Sequence, residues 1–332
     1  MLIDVYAHIT PQKYVDALSR SAPSNSMAAD HARAYPTLVD LDTRFRIMDR
    51  YEDLVQVLSL GAPAVEAVAD AKTAAELAQI ANDEMADLVC KYPDRFASAV
   101  ACVPMNDPDA ALREIDRAIA QLGLRGIQIY SDANGKPLDS PEFMPIYEKM
   151  THYDLPILLH PKVGTRVVVY HDEEQQKYLV PQLFAWAFQT TVAMAYLVGS
   201  GVFERLPTLK VIAHHCGAMV PYFAERISVI EDGWQMRMGY RHEQRLTKRL
   251  VDYYRMFYAD TAIHGNTSAL MCGYAFFGAD NMLFGTDMPY DNQIGDRAIR
   301  QTILAVDNMN VADWEKKKIF EGNACRLLRL PV

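Results

Sequence analysis

Short apolar runs recur along the chain and alternate with longer stretches of mixed polarity. Most of these runs are nearly continuous in apolar residues, which is typical of parallel strands buried on both faces. Their spacing leaves room for a helix between most neighbours. The eight runs with the length of a strand are Leu2–Tyr6, Leu54–Leu60, Ser98–Cys102, Gly126–Tyr130, Pro156–His160, Leu209–His214, Phe257–Thr261 and Met282–Thr286.

The stretches between these runs predict helices. Thr73 is a candidate N-cap, because Glu76 three residues later completes the pattern of a capping box. Strands that alternate with helices in this way favour an α/β fold, a (β/α)8 TIM barrel. An open doubly wound sheet is the alternative, but no glycine-rich phosphate loop follows the first strand. The predicted helices are Thr73–Tyr92, Asp107–Leu122, Ser140–His152, Pro181–Gly199 and Pro221–Trp234.

Two segments are longer than the minimal barrel requires. Pro11–Arg50 follows the first strand, and Pro161–Leu179 follows the fifth. Segments at these positions lie on the C-terminal face of a barrel, where lids and partner contacts are commonly built. No repeat, low-complexity block or Gly/Ser linker marks a boundary, so we expect residues 1–332 to form one barrel domain with insertions after strands one and five.

The composition limits the kinds of molecule that the protein is expected to bind and the compartment in which it is expected to occur. The 332 residues carry a formal net charge of −9, which argues against nucleic acid or an anionic membrane surface. No apolar run reaches the roughly 18 residues that a membrane span needs. The five cysteines are scattered without a CxxC pair, as in a reducing compartment. The first residues lack the basic region of a signal peptide, so we expect a cytoplasmic protein.

Polar side chains gather at the C-terminal ends of the predicted strands, where a barrel has its active site. Tyr6 and His8 end strand one and share a face, because they are two residues apart. Five of the nine histidines and one aspartate follow strands in this way. Imidazole and carboxylate groups bind Zn²⁺, Fe²⁺ and Mn²⁺, so a metal centre is predicted there. The candidates besides Tyr6 are His8, His160, His214, His215, His264 and Asp287.

A set of short fragments extends over nearly the whole chain in a fixed order. The fragments are Ile3–Pro11, Gly126–Tyr130, Pro156–Pro161, His215–Arg226, Leu283–Pro289 and Gly322–Leu328. Each alone is weak, but their order and spacing together are specific. They resemble the amidohydrolase superfamily, in the branch of aminocarboxymuconate-semialdehyde decarboxylase and the resorcylate-type decarboxylases.

The resemblance implies roles for the residues at the strand ends. This branch uses His-x-His at strand one, His at strand five and Asp at strand eight, which implies His8, His160 and Asp287 as metal ligands. His215 matches the strand-six histidine, an acid/base group, so His215 and Asp287 are predicted catalytic residues. Tyr6 stands where the branch has its first histidine, and it is either a ligand or a buried pocket tyrosine.

The remaining candidates depend on local geometry. Neighbours on a strand point to opposite faces, so His214 and His215 both reach the pocket only if the strand breaks there. His214 is then a further metal ligand, whereas in a continuous strand it packs outward. His264 and Arg50 are predicted substrate contacts, with a solvated loop residue and helix-surface charge as their respective alternatives.

The function expected from the resemblance is a metal-dependent carboxy-lyase, or a related hydrolase, acting on a small unsaturated or aromatic carboxylic acid. Zinc is the expected divalent metal, with manganese, iron or a dinuclear centre as alternatives. The second hypothesis is an O2-using dinuclear iron or manganese–iron hydroxylase, in which Tyr6 and His214 recruit the second ion. The third is a non-catalytic structural subunit of a paralogous enzyme. The expected partners are the carboxylate substrate and further copies of the chain, with a paralogue as the alternative.

Overall fold

The centre of the protein is a set of short parallel strands. A computed structural model describes residues 1–21, 27–162, 178–238 and 246–330, and nine strands lie within them. β3 and β4 are two parts of one barrel strand that is interrupted at Val100, so the nine strands fill eight positions. The strands are β1 (Leu2–Ile9), β2 (Leu54–Leu60), β3 (Phe96–Ala99), β4 (Ala101–Cys102), β5 (Ile127–Tyr130), β6 (Ile157–His160), β7 (Val211–Ala213), β8 (Tyr258–Asp260) and β9 (Met282–Leu283).

Backbone hydrogen bonds join these strands into a barrel. β1 to β3 form one ladder, and β4 to β9 form a second. The ladders meet where Val100 N donates to Leu58 O at 2.9 Å. At the other junction, β1 meets the residues after β9, because Val5 N donates to Phe284 O at 2.9 Å. The α/β barrel predicted from the sequence is therefore confirmed.

Helices surround the strands. The helix predicted at Thr73–Tyr92 begins at Ala71, and the prediction of Thr73 as its cap is wrong: the Asp70 carboxylate accepts a hydrogen bond from Thr73 N at 2.8 Å. No helix in the described ranges is long and apolar enough to cross a membrane. The helices are α1 (Gln12–Ser21), α2 (Met27–Ala34), α3 (Leu41–Met48), α4 (Val65–Val68), α5 (Ala71–Lys91), α6 (Pro108–Ala120), α7 (Met144–Tyr153), α8 (Trp186–Gly199), α9 (Val202–Arg205), α10 (His214–Gly217), α11 (Ala224–Met238), α12 (Leu250–Tyr254), α13 (Thr267–Phe277), α14 (Asp296–Asp307), α15 (Asp313–Lys317) and α16 (Asn323–Leu328).

The barrel interior is apolar in the part away from the C-terminal ends of the strands. Val5, Val57 and Leu158 are fully buried there and belong to one cluster. Leu327 and Leu328 of α16 belong to the same cluster, so this helix packs against the inner residues. The larger second cluster lies between the strands and the surrounding helices. Apolar packing thus fixes the strands and leaves their C-terminal ends to the polar residues.

The predicted insertion after strand one folds as α1 to α3 and is anchored by Arg44. This side chain on α3 is fully buried. Its Nε donates to Gln56 Oε1 at 2.8 Å, and its Nη1 donates to His8 O at 2.8 Å and to Thr37 O at 3.1 Å. The insertion is therefore tied to the strand that carries His8. Most of the second predicted insertion, Pro161–Leu179, lies outside the described residues.

Candidate metal centre

The C-terminal strand ends bring four ligand atoms together. His8 lies on β1, His160 ends β6, His214 follows β7 and Asp287 follows β9. Each offers one nitrogen or oxygen atom, and the four atoms lie within 4.8 Å of one another. Asp287 Oδ1 is 3.2 Å from His8 Nε2 and 3.4 Å from His214 Nε2. Four of the five predicted metal ligands therefore share one place, which we call the four-ligand site.

Each imidazole of the four-ligand site is held by a contact at Nδ1, which turns its Nε2 towards the other ligands. Ser59 Oγ lies 3.0 Å from His8 Nδ1. His160 Nδ1 donates to the carbonyl oxygen of the next residue at 2.7 Å. His214 Nδ1 lies 2.5 Å from Asp260 Oδ2. Such outer contacts fix the tautomer and the ring orientation of a metal-binding histidine.

The unpaired atoms of this cluster fit a divalent metal ion. His8 Nε2, His214 Nε2 and Asp287 Oδ1 are buried and make no hydrogen bond. Buried polar atoms are almost always paired, so three that converge require an explanation. Three imidazole nitrogens and one carboxylate oxygen form a suitable donor set for Zn²⁺, Mn²⁺ or Fe²⁺. An ion bound to these four residues would satisfy these three atoms.

The His214–His215 doublet reaches the site because the strand ends before it. β7 stops at Ala213, and both His215 and Cys216 have a left-handed φ of 56°. The chain turns here, so the strict alternation of a strand no longer applies. Both imidazoles face the same carboxylate, with His215 Nε2 3.6 Å from Asp287 Oδ2. This is the strand break on which the prediction of His214 depended.

Asp287 is positioned from the first strand by the buried carboxylate of Asp4. Thr286 N donates to Asp4 Oδ1 at 3.0 Å, and Thr286 Oγ1 donates to Asp4 Oδ2 at 2.6 Å. Asp287 N also donates to Tyr6 O at 3.0 Å. These hydrogen bonds lock the loop after β9 onto β1, so His8 and Asp287 keep a fixed separation.

Charges in the site oppose the effect of burial on the pKa values of Asp287 and His214. Burial raises the pKa of Asp287, but His214 and the neighbouring imidazoles outweigh it and hold the pKa of this carboxyl well below its usual range. Burial and the neighbouring imidazoles hold the pKa of His160 well below its ordinary value. Burial also lowers the pKa of His214, but Asp260 and Asp287 outweigh it and raise that pKa to about 9. In the metal-free protein at neutral pH, Asp287 is therefore ionised and His160 is neutral, whereas the His214 ring is protonated on both nitrogens and positively charged.

Metal binding at neutral pH is expected to release one proton from His214. Because its pKa is raised to about 9, this ring is protonated in the metal-free protein below that pH, and an ion must displace the proton from Nε2. Apparent metal affinity should therefore rise about tenfold per pH unit up to about pH 9 and level off above it. Calorimetric titration with Mn²⁺ at pH 7, in two buffers of different ionisation enthalpy, measures the released protons. Release of none would contradict this assignment.

Replacing Ser59 by alanine is expected to weaken metal binding about 10- to 100-fold, because His8 loses the contact that orients its ring. Competition with a coloured chelator measures the dissociation constant. Ser98→Ala is the matched control, since Ser98 is also buried and its hydroxyl donates to Ala99 O at 3.4 Å. Equal affinities of the two variants would show that the Ser59 hydroxyl does not hold His8.

Tyr6 forms one wall of the four-ligand site. Its ring is stacked on His214, with 3.9 Å between the ring centroids, and its buried hydroxyl makes no hydrogen bond. Burial and the charges of Asp260 and Asp287 hold the pKa of the phenol well above its ordinary value, so the group is neutral. A neutral phenol is a weaker donor than a phenolate. Tyr6 as a metal ligand stays a prediction, while its ring already restrains His214.

Replacing Tyr6 by phenylalanine separates these two roles. The variant keeps the stacked ring and removes only the hydroxyl, so we expect unchanged metal affinity in the same chelator competition. A large loss of affinity, in a variant with an unchanged circular dichroism spectrum, would instead assign the hydroxyl to the metal.

A cavity of about 710 Å³ opens above the four-ligand site. His215 and His264 both line it, as predicted for residues that meet a substrate. Arg50 does not line it: this side chain is 60% exposed, and its Nη1 pairs with Asp296 Oδ1 at 3.1 Å. The structure therefore does not bring Arg50 to the site: this residue lies in the turn after α3.

The aromatic side of the cavity was missed by sequence reasoning. Tyr290 packs against Tyr35 with 5.3 Å between ring centroids and against His31 with 5.8 Å. All three line the cavity, together with Trp186. Tyr290 follows Asp287 by three residues, and this proximity was the one available signal. His31 and Tyr35 come from the insertion after strand one, whose path the sequence pattern does not give.

A barrel with candidate histidine and aspartate ligands at its C-terminal strand ends has the architecture of an amidohydrolase. The family model described as amidohydrolase matches residues 3–330, and the chain belongs to this family. The resemblance inferred from the sequence fragments is therefore confirmed.

Within this family the similar proteins include several decarboxylases. Gamma-resorcylate decarboxylase of Polaromonas sp. (strain JS666) is 33% identical over 307 residues, which cover 88% of this chain and 89% of the relative. The 2-amino-3-carboxymuconate-6-semialdehyde decarboxylase of Dictyostelium discoideum is 28% identical over 346 residues, covering 99% and 91%. A solved structure of dihydroxybenzoic acid decarboxylase from Polaromonas sp., with bound manganese and the inhibitor 2-nitroresorcinol, has a TM-score of 0.82, 30% identity and coverage of 99% and 96%.

Proposed function

We propose that this protein is a metal-dependent decarboxylase of small aromatic or unsaturated carboxylic acids. The observation that carries the proposal is the convergence of buried, unpaired His8 Nε2, His214 Nε2 and Asp287 Oδ1 beneath a cavity of about 710 Å³. A cavity of this volume is typical of a small-molecule site. The aromatic side chains along one wall suit a planar substrate. The similarity to gamma-resorcylate decarboxylase supports this reaction.

His8, His160, His214 and Asp287 would hold the ion. When bound, a divalent metal supplies positive charge that stabilises the negative charge of the substrate oxygens. Manganese is the first metal to test, because the Polaromonas structure contains it, whereas the zinc expected from the sequence has no such support. The hydroxylase and structural-subunit hypotheses gain no support from the two relatives described above, both of which are named decarboxylases.

His215 is proposed as the proton carrier. Burial and the neighbouring His214 lower its pKa below the ordinary value, so the ring is neutral at pH 7 and can accept a proton at Nε2 from a substrate hydroxyl. When the bond between the ring carbon and the carboxylate breaks, CO2 leaves and the electron pair stays on the carbon. His215 then returns the proton to that carbon. Asp287 Oδ2, 3.6 Å from Nε2, would stabilise the positive charge that the imidazole gains with this proton.

His264, which lines the same cavity as His215, is proposed to contact the substrate as well. It is exposed on the turn after β8, and its ring centroid lies 6.4 Å from that of His215. An imidazole in this position can hydrogen-bond a carboxylate or hydroxyl oxygen at the cavity mouth.

The proposal is tested by measuring CO2 release from 2,6-dihydroxybenzoate and 5-carboxyvanillate. The protein is stripped of metal with a chelator and reloaded with Mn²⁺ or Zn²⁺. We expect no activity in the stripped protein, recovery with Mn²⁺, and a loss of about 10²- to 10⁴-fold in metal-loaded His215→Asn. His152→Ala, an exposed histidine on α7, is the control. Full metal content without CO2 release from these and related aromatic acids would overturn the proposal.

We further propose that the chain is a homo-oligomer in the cytoplasm. Phe188, Tyr222 and Val229 are large apolar side chains that are 58%, 79% and 66% exposed, and association of chains would cover them. Light scattering measures the mass in solution. The mass of one chain would contradict the homo-oligomer, and co-purification with a paralogue would favour the hetero-oligomer.

A further inference from the structure

The aromatic wall of the cavity, formed by His31, Tyr35, Trp186 and Tyr290, contains a polar group that its packing does not explain. This group is the imidazole of His31 on α2. Its ring centroid lies 6.3 Å from that of Tyr35 and 5.8 Å from that of Tyr290. Its Nδ1 is buried and makes no hydrogen bond. Buried nitrogens without a partner are rare, so a hydrogen-bonding group of a bound ligand is a natural partner for this ring.

His31 lies at a distance from the four-ligand site, with Tyr290 between them. The ring centroid of Tyr290 is 5.4 Å from that of His8 on one side and 5.8 Å from that of His31 on the other. The ring contacts of His31 within the described residues are with Tyr35 and Tyr290, and none is with a residue of the four-ligand site. An aromatic acid whose carboxylate faces the metal would extend along Tyr290 towards His31.

We propose that His31 determines substrate specificity, because its imidazole hydrogen-bonds a hydroxyl group on the substrate ring opposite the carboxylate. The proposal rests on the proposed function, which places the carboxylate of the substrate at the metal. A neutral imidazole offers one donor and one acceptor. A hydroxyl group both donates and accepts, so it pairs with the imidazole whichever nitrogen carries the proton. The substrate class is then a phenolic acid with one carboxylate and a hydroxyl at the far end of the ring.

The charges around His31 favour an uncharged group over a second carboxylate. Burial lowers the pKa of His31 and the nearby Ala62 backbone raises it by less, so the ring is neutral at pH 7. No lysine or arginine of the described ranges lines the cavity. A second carboxylate would lose its water at this wall without meeting a positive charge, which is unfavourable.

The segment that carries His31 is tied to the rest of the barrel. Tyr35 N donates to His31 O at 2.8 Å, so the wall residues Tyr35 and His31 are joined through the backbone. Two residues further on, Thr37 Oγ1 donates to Ile294 O at 2.9 Å in the loop after β9. The insertion after strand one therefore presents His31 from a fixed position, as a residue that selects substrates requires.

The test measures binding of three 2-hydroxybenzoates to the Mn²⁺-loaded, full-length protein by calorimetric titration. They carry a hydroxyl, a methyl or a carboxylate at position 4, opposite the carboxylate that faces the metal. All proteins carry His215→Asn, so that the acids are not consumed. We expect the hydroxyl compound to bind about tenfold more tightly than the methyl compound, which is similar in size but forms no hydrogen bond. The compound with the second carboxylate should bind more weakly than the hydroxyl compound.

His31→Phe in this background keeps a flat ring in the wall and removes both nitrogens. The ratio of the hydroxyl to the methyl affinity should therefore fall to about 1. Tyr35→Phe is the matched comparison, because it removes a polar atom from the same wall, and it should keep the tenfold ratio. His152→Ala, an exposed histidine on α7, should keep it as well. Circular dichroism confirms that each variant is folded.

A tenfold ratio that persists in His31→Phe, or is lost only in Tyr35→Phe, would overturn the role of His31. So would a ratio near 1 before His31 is replaced, or tighter binding of the compound with two carboxylates. The proposed function fails in a different way. Selective binding without CO2 release by the protein that retains His215 would leave the role of His31 standing and remove the reaction. CO2 release with a ratio near 1 would do the reverse.

Discussion

Replacing Asp287 by asparagine is expected to abolish tight metal binding, and the decarboxylase activity with it. Asparagine keeps the size of the side chain and one oxygen, but it removes the only negative charge among the four ligands. A buried charge that loses its partner costs about 3–5 kcal/mol. Since 1.4 kcal/mol corresponds to tenfold, affinity should fall by about 10²- to 4 × 10³-fold.

The control for this substitution is Asp291→Asn in the same loop. Asp291 accepts backbone hydrogen bonds from Gln293 N at 2.6 Å and Ala298 N at 2.8 Å, so the variant perturbs the loop without touching a ligand. Metal content after dialysis, measured by mass spectrometry, and CO2 release are compared for both proteins. Full metal content in Asp287→Asn would refute the four-ligand site.

Replacing Arg44 by methionine is expected to lower the free energy of unfolding by about 3–5 kcal/mol. The guanidinium is fully buried, and burial lowers its pKa only to about 10, so it is charged at neutral pH. Methionine leaves Gln56 Oε1, His8 O and Thr37 O without their donor. Each buried acceptor left unpaired costs about 1–3 kcal/mol.

The comparison is Arg46→Met on the same helix. Arg46 is exposed, and its guanidinium donates to Thr43 Oγ1 at 2.7 Å, so its loss should change stability by less than about 0.5 kcal/mol. Urea unfolding followed by circular dichroism gives both values. If the two variants unfold at the same urea concentration, the buried contacts of Arg44 do not stabilise the fold.

The barrel could be predicted from the sequence because its strands are buried on both faces. Such strands appear as nearly continuous apolar runs, and the residue after each run is then at the C-terminal end of the barrel. His8, His160 and Asp287 were found by this rule together with the family resemblance. The bounds of β2, Leu54–Leu60, match the predicted run. β9 is shorter than predicted because it pairs with β8 only at Met282 and Leu283.

Whether His214 and His215 both face the site could not be predicted, because this depends on a change of backbone conformation. Alternation along a strand assigns one of the two rings to the outside. The left-handed φ values of His215 and Cys216 remove that constraint, yet neither residue is a glycine, the usual sequence signal for such a turn. The position of Arg50, away from the cavity, could not be predicted for a different reason. Its partner Asp296 lies far away in sequence, and no local pattern reports a long-range ion pair.

The large sequence separation of Asp4 and Thr286 also bears on when the four-ligand site can form during protein synthesis. The two residues are 282 positions apart, so β1 lacks its last neighbour until most of the chain has left the ribosome. Contacts at such separation form late, because chain closure is costly until the intervening elements have packed. His8 and Asp287 meet only at that stage. A nascent chain that ends before β9 has no carboxylate to complete the four-ligand site, so the four candidate ligands can come together only after Asp287 has been added.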